Sequence, residues 1–454
     1  MSSKPAILGY LPQDRPPLGA QIALGLQHVI TMFPATVLVA ILTNFDIGVT
    51  LFASGLATVV ALLGSGMRIP LYYGSSFSYI AAVSAVMGAE WGGQAVAQGG
   101  IVATAVVSVA AGFLIRWVGK DALDKVLPPI VTGSVAIVIG ISLAKTALDN
   151  ASTQWLVAIV TLLATVLFSV YLRGRGFFSM IPVLLGALVG YAVAVMAGIV
   201  EFGAVGSAPW VQVPAFTLPK FRWAAVLAIA PIAIATIPES TAHLYQISLY
   251  VDRLAEDLGR KPQGIKNLIG LNLILDGIGD AINGLLGGCA GTNYGENNSL
   301  MAITRNYSGP VLVTAGIISM ALAFVGKLAA VVNTLPTAVT GGLAIFLFGV
   351  IGLQGVALIQ SERVNLFEPR QLAIGAVILV IGIGGSMFPG GMLPIPVPGL
   401  QTAFPDGLPA IATAAVVGIL LNALFLVVPP RVAEDITLDE APEPTEAVEA
   451  VDIA

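Results

Sequence analysis

Long apolar stretches separated by short polar connections run through most of the 454-residue chain. Fourteen such segments can be distinguished, and most approach the ~20 residues that a helix needs to cross a bilayer. This pattern predicts a polytopic, all-α membrane protein. The segments are expected near residues 18–43, 47–66, 76–88, 94–117, 124–147, 153–173, 177–199, 222–247, 263–283, 297–306, 308–333, 335–359, 369–388 and 407–428.

Two of these segments, 76–88 and 297–306, are too short to span a bilayer. Each follows a stretch that does not look helical, residues 68–75 and residues 287–295. The short segments are third in the first seven and third in the second seven, and an odd count gives the two halves opposite orientation. Interrupted segments at matching places in inverted halves point to a transport site, because irregular backbone at membrane depth must line a cavity or be buried in protein.

Composition supports a membrane protein, with 57% hydrophobic and 10% charged residues. Soluble domains carry about 25% charged residues, and the ~10-residue alternating segments of a membrane β-barrel are missing from the pattern. The single cysteine, Cys289, excludes an intramolecular disulfide and a cysteine-built metal site. We expect neither a metal nor a cofactor.

The basic residues indicate an orientation. With a cytoplasmic N-terminus, sixteen of the 20 lysines and arginines fall on the cytoplasmic side, as the positive-inside rule requires. The net charge of −5 comes mainly from residues 434–454, an acidic stretch that we interpret as a disordered cytoplasmic end. The sequence contains no basic patch for nucleic acid, and residues 1–17 lack a cleavable signal pattern.

Two ionisable residues lie inside the apolar stretch Trp223–Leu249. These are Glu239 and His243, one helical turn apart and therefore on one helix face. A charge at a helix centre costs roughly 2.5–3.5 kcal/mol on insertion scales. The pair is either a ligand-facing carboxylate with a titratable neighbour or a self-satisfied pair that stabilises packing. Pro238 favours the first interpretation because it opens the backbone nearby.

A second glutamate, Glu296, follows Tyr294 and Gly295 at the start of the second short helix. An acid there complements the helix dipole, and that role can coexist with ligand binding. In the matching first turn, residues 74–77, the serines are candidate helix caps. The aromatic residues Phe77, Tyr79 and Tyr294 would either stack on a flat ligand or simply pack.

Three further polar residues have ambiguous roles. Asp276 and Asp280 are spaced i, i+4. Two interpretations are open: one of the two belongs to a proton path, or both form hydrogen bonds to neighbouring backbone near a helix end. His28 in the first segment is expected to be a buried hydrogen-bonding residue. No phosphate-binding loop is present, so transport energy would come from an ion gradient. Two carboxylates with free helix N–H groups suit a small planar ligand that carries both N–H groups and carbonyls.

In these motifs the chain resembles the nucleobase/ascorbate transporter family, and within it the bacterial uracil:proton symporters. The resemblance covers roughly residues 18–430. It rests on Gln27-His28, on Pro70 with residues 74–77, on Glu239 and His243, and on the run from Tyr294 to Asn297 that ends with residues 302–305.

The resemblance implies fourteen segments in two inverted repeats of seven, with a short mid-membrane strand before each short helix. It implies a cytoplasmic N-terminus (1–17), a core domain (18–118 and 216–333), a gate domain (119–215 and 334–430) and an acidic cytoplasmic tail (431–454). Family members are often dimers through the gate domain, so a homodimer in the bacterial inner membrane is expected.

The resemblance also implies roles for particular residues. The positions that match the family's uracil contacts are Ala35, Phe77, Glu239, Tyr294, Gly295 and Glu296. His243 matches a residue implicated in substrate contact and proton coupling, and Glu239 and Asp276 are further proton-coupling candidates. Glutamate at 296 is typical of the uracil branch, whereas purine transporters usually carry glutamine. Ser299 departs from the signature, which normally has glycine there.

The expected function is therefore uracil uptake coupled to proton entry by alternating access of the core against the gate, without enzyme activity. One alternative is a purine symporter, for xanthine or urate, on the same fold. An alternative of another class is an anion exchanger or channel of the related fourteen-segment architecture. Two acids at the site argue against that class, because they would repel an anion.

Overall fold

The computed structural model describes residues 9–119, 125–173, 176–395 and 407–428. The acidic tail, the first eight residues and the predicted start of the fifth segment at 124 lie outside these ranges. The described chain is mostly helical. Its first half contains α1 (Leu18–Thr43), α2 (Ile47–Gly64), β1 (Tyr73–Ser75), α3 (Ile80–Gly88), α4 (Gln94–Val118), α5 (Pro129–Ser142), α6 (Ala144–Ser152), α7 (Trp155–Tyr171), α8 (Pro182–Met196) and α9 (Gly203–Ser207).

The second half is likewise mostly helical and includes three short strands. It contains α10 (Trp223–Ile229), α11 (Ala233–Asp257), α12 (Ile269–Leu286), β2 (Gly291–Asn293), α13 (Gly295–Thr304), α14 (Gly309–Leu322), α15 (Gly326–Asn333), α16 (Thr337–Ser361), α17 (Pro369–Leu379), β3 (Met392–Leu393), β4 (Leu408–Pro409) and α18 (Ala410–Val427). Short 3₁₀ turns precede several helices, and a π-helical turn, Val380–Gly384, follows α17.

Eight helical stretches in the described residues are long and apolar enough to cross a membrane. Five shorter apolar helices, including Phe77–Gly88, add to them. The polytopic α-helical class is thereby confirmed, whereas the count of fourteen spans and the inverted repeat remain predictions. The eight stretches are Leu18–Thr43, Ile47–Gly64, Gln94–Val118, Pro129–Ser152, Trp223–Asp257, Ile265–Leu286, Thr337–Ser361 and Ala410–Val427.

Several boundaries differ from the predicted ones for identifiable reasons. Helix α11 continues ten residues past the predicted end at 247, because the apolar pattern marks the membrane rather than the end of a helix. The predicted segment 308–333 is two helices, α14 and α15. Between them Phe324 accepts a hydrogen bond from the N–H of Gln212, and Gly326 donates to the carbonyl of Trp210. The connection before α10 thus interrupts the segment.

The helices pack in two groups. In the first group, α1 to α4 lie against one another and against α10 to α14, with α4 along α12 and α2 along α14. In the second group, α5 to α8 lie against α16 to α18. Contacts of α5 with α11, and of α18 with the turn Ala230–Ile232, join the groups.

Residues near the N-terminus form hydrogen bonds with the end of one short helix. The N–H of Tyr10 donates to the carbonyl of Arg305 at 3.0 Å, and the N–H of Tyr307 donates to the carbonyl of Tyr10 at 2.8 Å. Asp14 forms an ion pair with Arg260 at 2.7 Å. The two bonds of Tyr10 fix the C-terminal end of α13, the helix that carries Glu296 in its first turn, and the ion pair holds the same segment against the residues after α11.

Backbone-to-backbone packing of glycines sets the distance between α2 and α14. A Cβ atom added at Gly316 would lie 2.7 Å from the carbonyl oxygen of Gly55, closer than real Cβ contacts come. Small residues at such crossings let helices approach within a bilayer, where no hydrophobic force drives helices together.

Gly316→Ala should therefore destabilise the protein by roughly 1–3 kcal/mol, because α2 and α14 must separate. Gly349→Ala is the matched control, since Gly349 is also helical but has no atom within 4 Å of an added Cβ. Thermal unfolding of the purified proteins in detergent measures the change in melting temperature that each substitution causes. Equal melting temperatures for the two variants would contradict the proposed close contact.

Candidate functional site

Two short strands pair where the sequence predicts breaks in helices. Strand β1 pairs antiparallel with β2, with Tyr73 opposite Asn293 and Ser75 opposite Gly291. Two more bonds extend the ladder, from the N–H of Ser76 to Ala290 and from the N–H of Tyr294 to Tyr72, both 2.9 Å. The predicted strands before the two short helices are thus confirmed.

Hydroxyl groups on α2 form hydrogen bonds with the backbone groups of β1 that face away from β2. The carbonyl of Tyr73 accepts hydrogen bonds from Ser54 Oγ at 2.7 Å and Thr58 Oγ1 at 3.1 Å. The N–H of Tyr73 donates to the same Thr58 oxygen at 3.0 Å. Both hydroxyls are buried. A two-stranded sheet inside an apolar protein needs such partners because water cannot supply them.

Side chains of α11 and α12 satisfy the outer edge of β2. Asp280 Oδ1 accepts from the N–H of Gly291 at 2.7 Å, and Asp276 Oδ2 accepts from Thr292 Oγ1 at 3.4 Å. Asp280 therefore makes the backbone contact considered from sequence. Asp276 is buried, and its Oδ1 has no hydrogen-bond partner among the described residues.

A helix start follows each strand. After β1 come the 3₁₀ turn Phe77–Tyr79 and α3, and after β2 comes α13. The first N–H groups of a helix have no acceptor within it. In the described ranges, the N–H groups of Phe77, Gly295 and Glu296 donate to no other residue. The two helix starts therefore present unused donors and positive dipole ends.

Tyr294 ties the two breaks together through its side chain. Its hydroxyl donates to the carbonyl of Ser75 at 2.9 Å and lies 2.9 Å from Thr36 Oγ1. Its ring stacks on that of Tyr72 at a centroid distance of 6.3 Å and is 5% exposed. The ring thus packs inside the protein, and a ligand contact at this position would come from the backbone.

Three other predicted site residues lie nearby with different exposure. Ala35 is buried in α1 beside Thr36 and Pro34, where the proline interrupts the helix bonding. Phe77 is partly exposed at the start of its 3₁₀ turn. Tyr79 is buried with its hydroxyl 3.2 Å from Thr236 Oγ1, so its ring packs inside the protein.

The acidic and imidazole groups converge on the β2 break. His243 bonds to Asn293 through Nδ1, and Glu239 lies within electrostatic reach of His243, Glu296 and Asp276. Glu296 is exposed in the first turn of α13, and Glu239 is half-buried on α11. Neither carboxylate has a hydrogen-bond or ion-pair partner in the described part of the chain.

The imidazole of His243 approaches Gly295 closely. A Cβ atom there would lie 2.8 Å from Nε2 of the imidazole. The residue that departs from the family signature, Ser299, folds back, and its hydroxyl donates to the carbonyl of Gly295 at 3.1 Å. The extra hydroxyl is therefore used within its own helix.

The sequence analysis did not identify the polar residues that hold the β2 break and the imidazole of His243. Asn293, Ser240 and Asn272 are fully buried and form one network with Tyr73 and His243. The one hint in the sequence was Asn293, a polar residue directly before the family motif that begins at Tyr294. His28, expected to be a buried hydrogen-bonding residue, bonds to Asn297.

A separate cavity of about 570 Å³ lies near Asp46 and Glu201. It is formed by the α1–α2 connection, residues 199–214 and the segment 323–337. None of the predicted site residues lines it.

Comparison with known proteins identifies the class. A model of the permease family matches residues 19–391. The uracil permease of Bacillus caldolyticus is 39% identical over 93% of this chain and 96% of its own length. The uracil permease of Escherichia coli strain K12 is 35% identical over 94% of this chain and 96% of its own. The chain belongs to the nucleobase/ascorbate transporter family, as its motifs predict, and is a membrane transporter rather than an enzyme.

Solved structures share the fold at low identity. The transmembrane domain of a cyanobacterial bicarbonate transporter, BicA, superposes with a TM-score of 0.57, at 16% identity, over 82% of this chain and 97% of that one. The murine anion transporter Solute Carrier 26 family member A9 gives 0.60 at 12% identity, over 94% and 73%. These likenesses concern the fold alone.

Thr58→Val tests whether the β1 edge depends on α2. The change keeps the shape but leaves the buried N–H of Tyr73 without an acceptor, which should cost about 1–3 kcal/mol of unfolding free energy. Thr165→Val is the control, because this buried hydroxyl bonds only the carbonyl of Thr161 in its own helix. Thermal unfolding in detergent compares them, and an equal effect of both changes would contradict the role of Thr58.

Proposed function

We propose that this chain takes up uracil together with a proton across the bacterial inner membrane. The observation that supports the proposal is the pairing of two unpartnered carboxylates, Glu239 and Glu296, with unused helix N–H groups at the strand breaks. The uracil permeases that match nearly the whole chain make uracil the favoured nucleobase.

The ligand would lie between the two helix starts. Uracil has two ring N–H donors and two carbonyl acceptors in one plane. Glu239 and Glu296 would accept from the N–H groups, and the N–H groups of Phe77 and Gly295 would donate to the carbonyls. Ala35 and the backbone of Tyr294 would border the site. Hydrogen bonds to charged groups are worth ~1.5–3 kcal/mol each, so the carboxylates would supply much of the selectivity.

Proton coupling would use the ionisable groups around β2. A proton accepted near Glu239 and His243 would offset the charge of the two glutamates while substrate is bound. Asp276 is a further candidate because its buried carboxylate has one unpartnered oxygen. Movement of one helix group against the other, the core against the gate, would expose the site alternately to the two sides.

The wider arrangement is part of the same proposal. Fourteen spans in two inverted repeats would place both termini in the cytoplasm, as the distribution of lysine and arginine favours. The second helix group would form the dimer interface. The shared fold of the anion transporters does not favour anion transport here, because the two carboxylates would repel an anion.

Glu296→Gln should lower uracil uptake about 10- to 100-fold, since a neutral amide replaces a charge-assisted hydrogen bond. Uptake of labelled uracil, in cells that lack their own transporter, measures this, and competition by xanthine tests a shift towards purines. Glu362→Gln, at the exposed end of α16, is the control. Wild-type uptake by Glu296→Gln would remove Glu296 from the site, and uptake unaffected by a protonophore would refute proton coupling.

Uracil should also raise the melting temperature of the purified protein. A ligand that binds only the native state at 100 times its dissociation constant adds ~2.7 kcal/mol of stability. A thermal-shift screen would compare uracil, thymine, xanthine, adenine and ascorbate. A shift with xanthine and none with uracil would favour the purine alternative.

A further inference from the structure

The two histidines of the chain each face an asparagine beside the β2 break. His243 contacts Asn293, the last residue of β2, and His28 contacts Asn297, in the first turn of α13. In both pairs a ring nitrogen, Nδ1, is the contacting atom. The partner of that nitrogen decides which ring nitrogen carries the hydrogen when the imidazole is neutral.

For His243 the partner is an acceptor. Nδ1 lies 3.0 Å from the backbone carbonyl oxygen of Asn293 and 2.8 Å from Oδ1 of the same residue. A carbonyl oxygen can only accept, so Nδ1 must carry a hydrogen. The amide nitrogen of Asn293 is engaged elsewhere, because it donates to Ser240 Oγ at 2.7 Å. One residue therefore holds the Nδ1–H group with two acceptors.

For His28 the partner is a donor. Asn297 Nδ2 lies 3.3 Å from the backbone carbonyl oxygen of His28, and that contact requires the amide nitrogen. The same Nδ2 lies 3.0 Å from Nδ1 of the imidazole. Nδ1 of His28 must then accept, and its hydrogen must be on Nε2. The two histidines are thus fixed in opposite tautomers.

The free ring nitrogen of His243 points at the proposed ligand site. Nε2 is the atom that a Cβ at position 295 would meet at 2.8 Å. Glu239 lies one turn away on the same face of α11, and Glu296 directly follows Gly295 in the chain. With Nδ1–H held by Asn293, a neutral His243 presents a lone pair at Nε2, able to accept a hydrogen bond from a ligand N–H or to take the transported proton.

The asparagine is itself held rigidly. Ser240 Oγ accepts from Asn293 Nδ2 and also from Asn272 Nδ2 at 2.8 Å. Asn272 Oδ1 in turn accepts from the hydroxyl of Tyr73 at 3.0 Å. Four buried side chains on two helices and two strands thereby fix the orientation of one amide.

We propose that Asn293 is a positioning residue that fixes His243 as the Nδ1–H tautomer, so that the Nε2 lone pair faces the substrate and proton site. The role in transport rests on the proposed function. The tautomer itself does not, because it follows from hydrogen-bond partners alone.

The test is nitrogen NMR of purified protein labelled with ¹⁵N-histidine, at a pH where both rings are neutral. His28→Gln leaves a single labelled ring and assigns the signals. We expect hydrogen on Nδ1 in His243 and on Nε2 in His28. Hydrogen on Nε2 of His243 in the wild-type protein would overturn the proposal, whatever its uptake activity.

Variants then distinguish a role of Asn293 in orienting His243 from a role in the stability of the protein. Asn293→Leu removes the side-chain acceptor, and the ratio of Nδ1–H to Nε2–H should fall roughly fivefold, which corresponds to one hydrogen bond of ~1 kcal/mol. Asn293→Asp keeps an acceptor and should preserve the tautomer. Asn298→Leu is the matched control, since Asn298 bonds the backbone of His243 and the side chain of Gln246 but not the ring.

Uptake completes the test. Uracil uptake by Asn293→Leu should fall about tenfold relative to Asn298→Leu at equal protein level. Equal uptake by the two variants would overturn the positioning role. If wild-type protein shows the expected tautomers but transports no uracil, the proposed function fails while the assignment of His243 stands.

Discussion

The structure depends on one constraint: backbone polar groups at the two helix breaks must find partners inside an apolar protein. The strands Tyr73–Ser75 and Gly291–Asn293 satisfy each other along their shared edge. Ser54 and Thr58 on one side, and Asp280 on the other, satisfy the outer edges. Ser54 and Thr58 come from α2 and Asp280 comes from α12, so these bonds tie two helices of the first group to the strands.

This constraint also leaves groups free where chemistry is needed. The strand bonds stop at Ser76 and Tyr294, and the next N–H groups belong to helix starts that have no internal acceptors. The hydroxyl of Tyr294 donates to the carbonyl of Ser75 and so joins the two breaks. Beside these helix starts, the carboxylates of Glu239 and Glu296 and one oxygen of the buried Asp276 have no hydrogen-bond partner among the described residues.

Much of this could be predicted from sequence because it is local. Segment length, the glycine-rich interruptions and the acids in apolar stretches indicated the strands, the helix starts and the candidate residues. The partners could not be predicted, because they are distant in sequence: Ser240 bonds Asn293 from 53 residues away, and Tyr73 bonds Asn272 from 199. The break between α14 and α15 was missed for the same reason, since the residues that cause it precede α10.

The pairing of the two strands has a consequence for biogenesis. Tyr73 pairs with Asn293, 220 positions later in the chain. The ribosome therefore completes ten of the described α-helices, α3 to α12, before the partner strand of β1 exists. Until then the N–H and carbonyl groups of β1 need water, neighbouring hydroxyls or the insertion machinery. Contacts with such sequence separation form slowly, which makes assembly of the transport site a late step in the maturation of this protein.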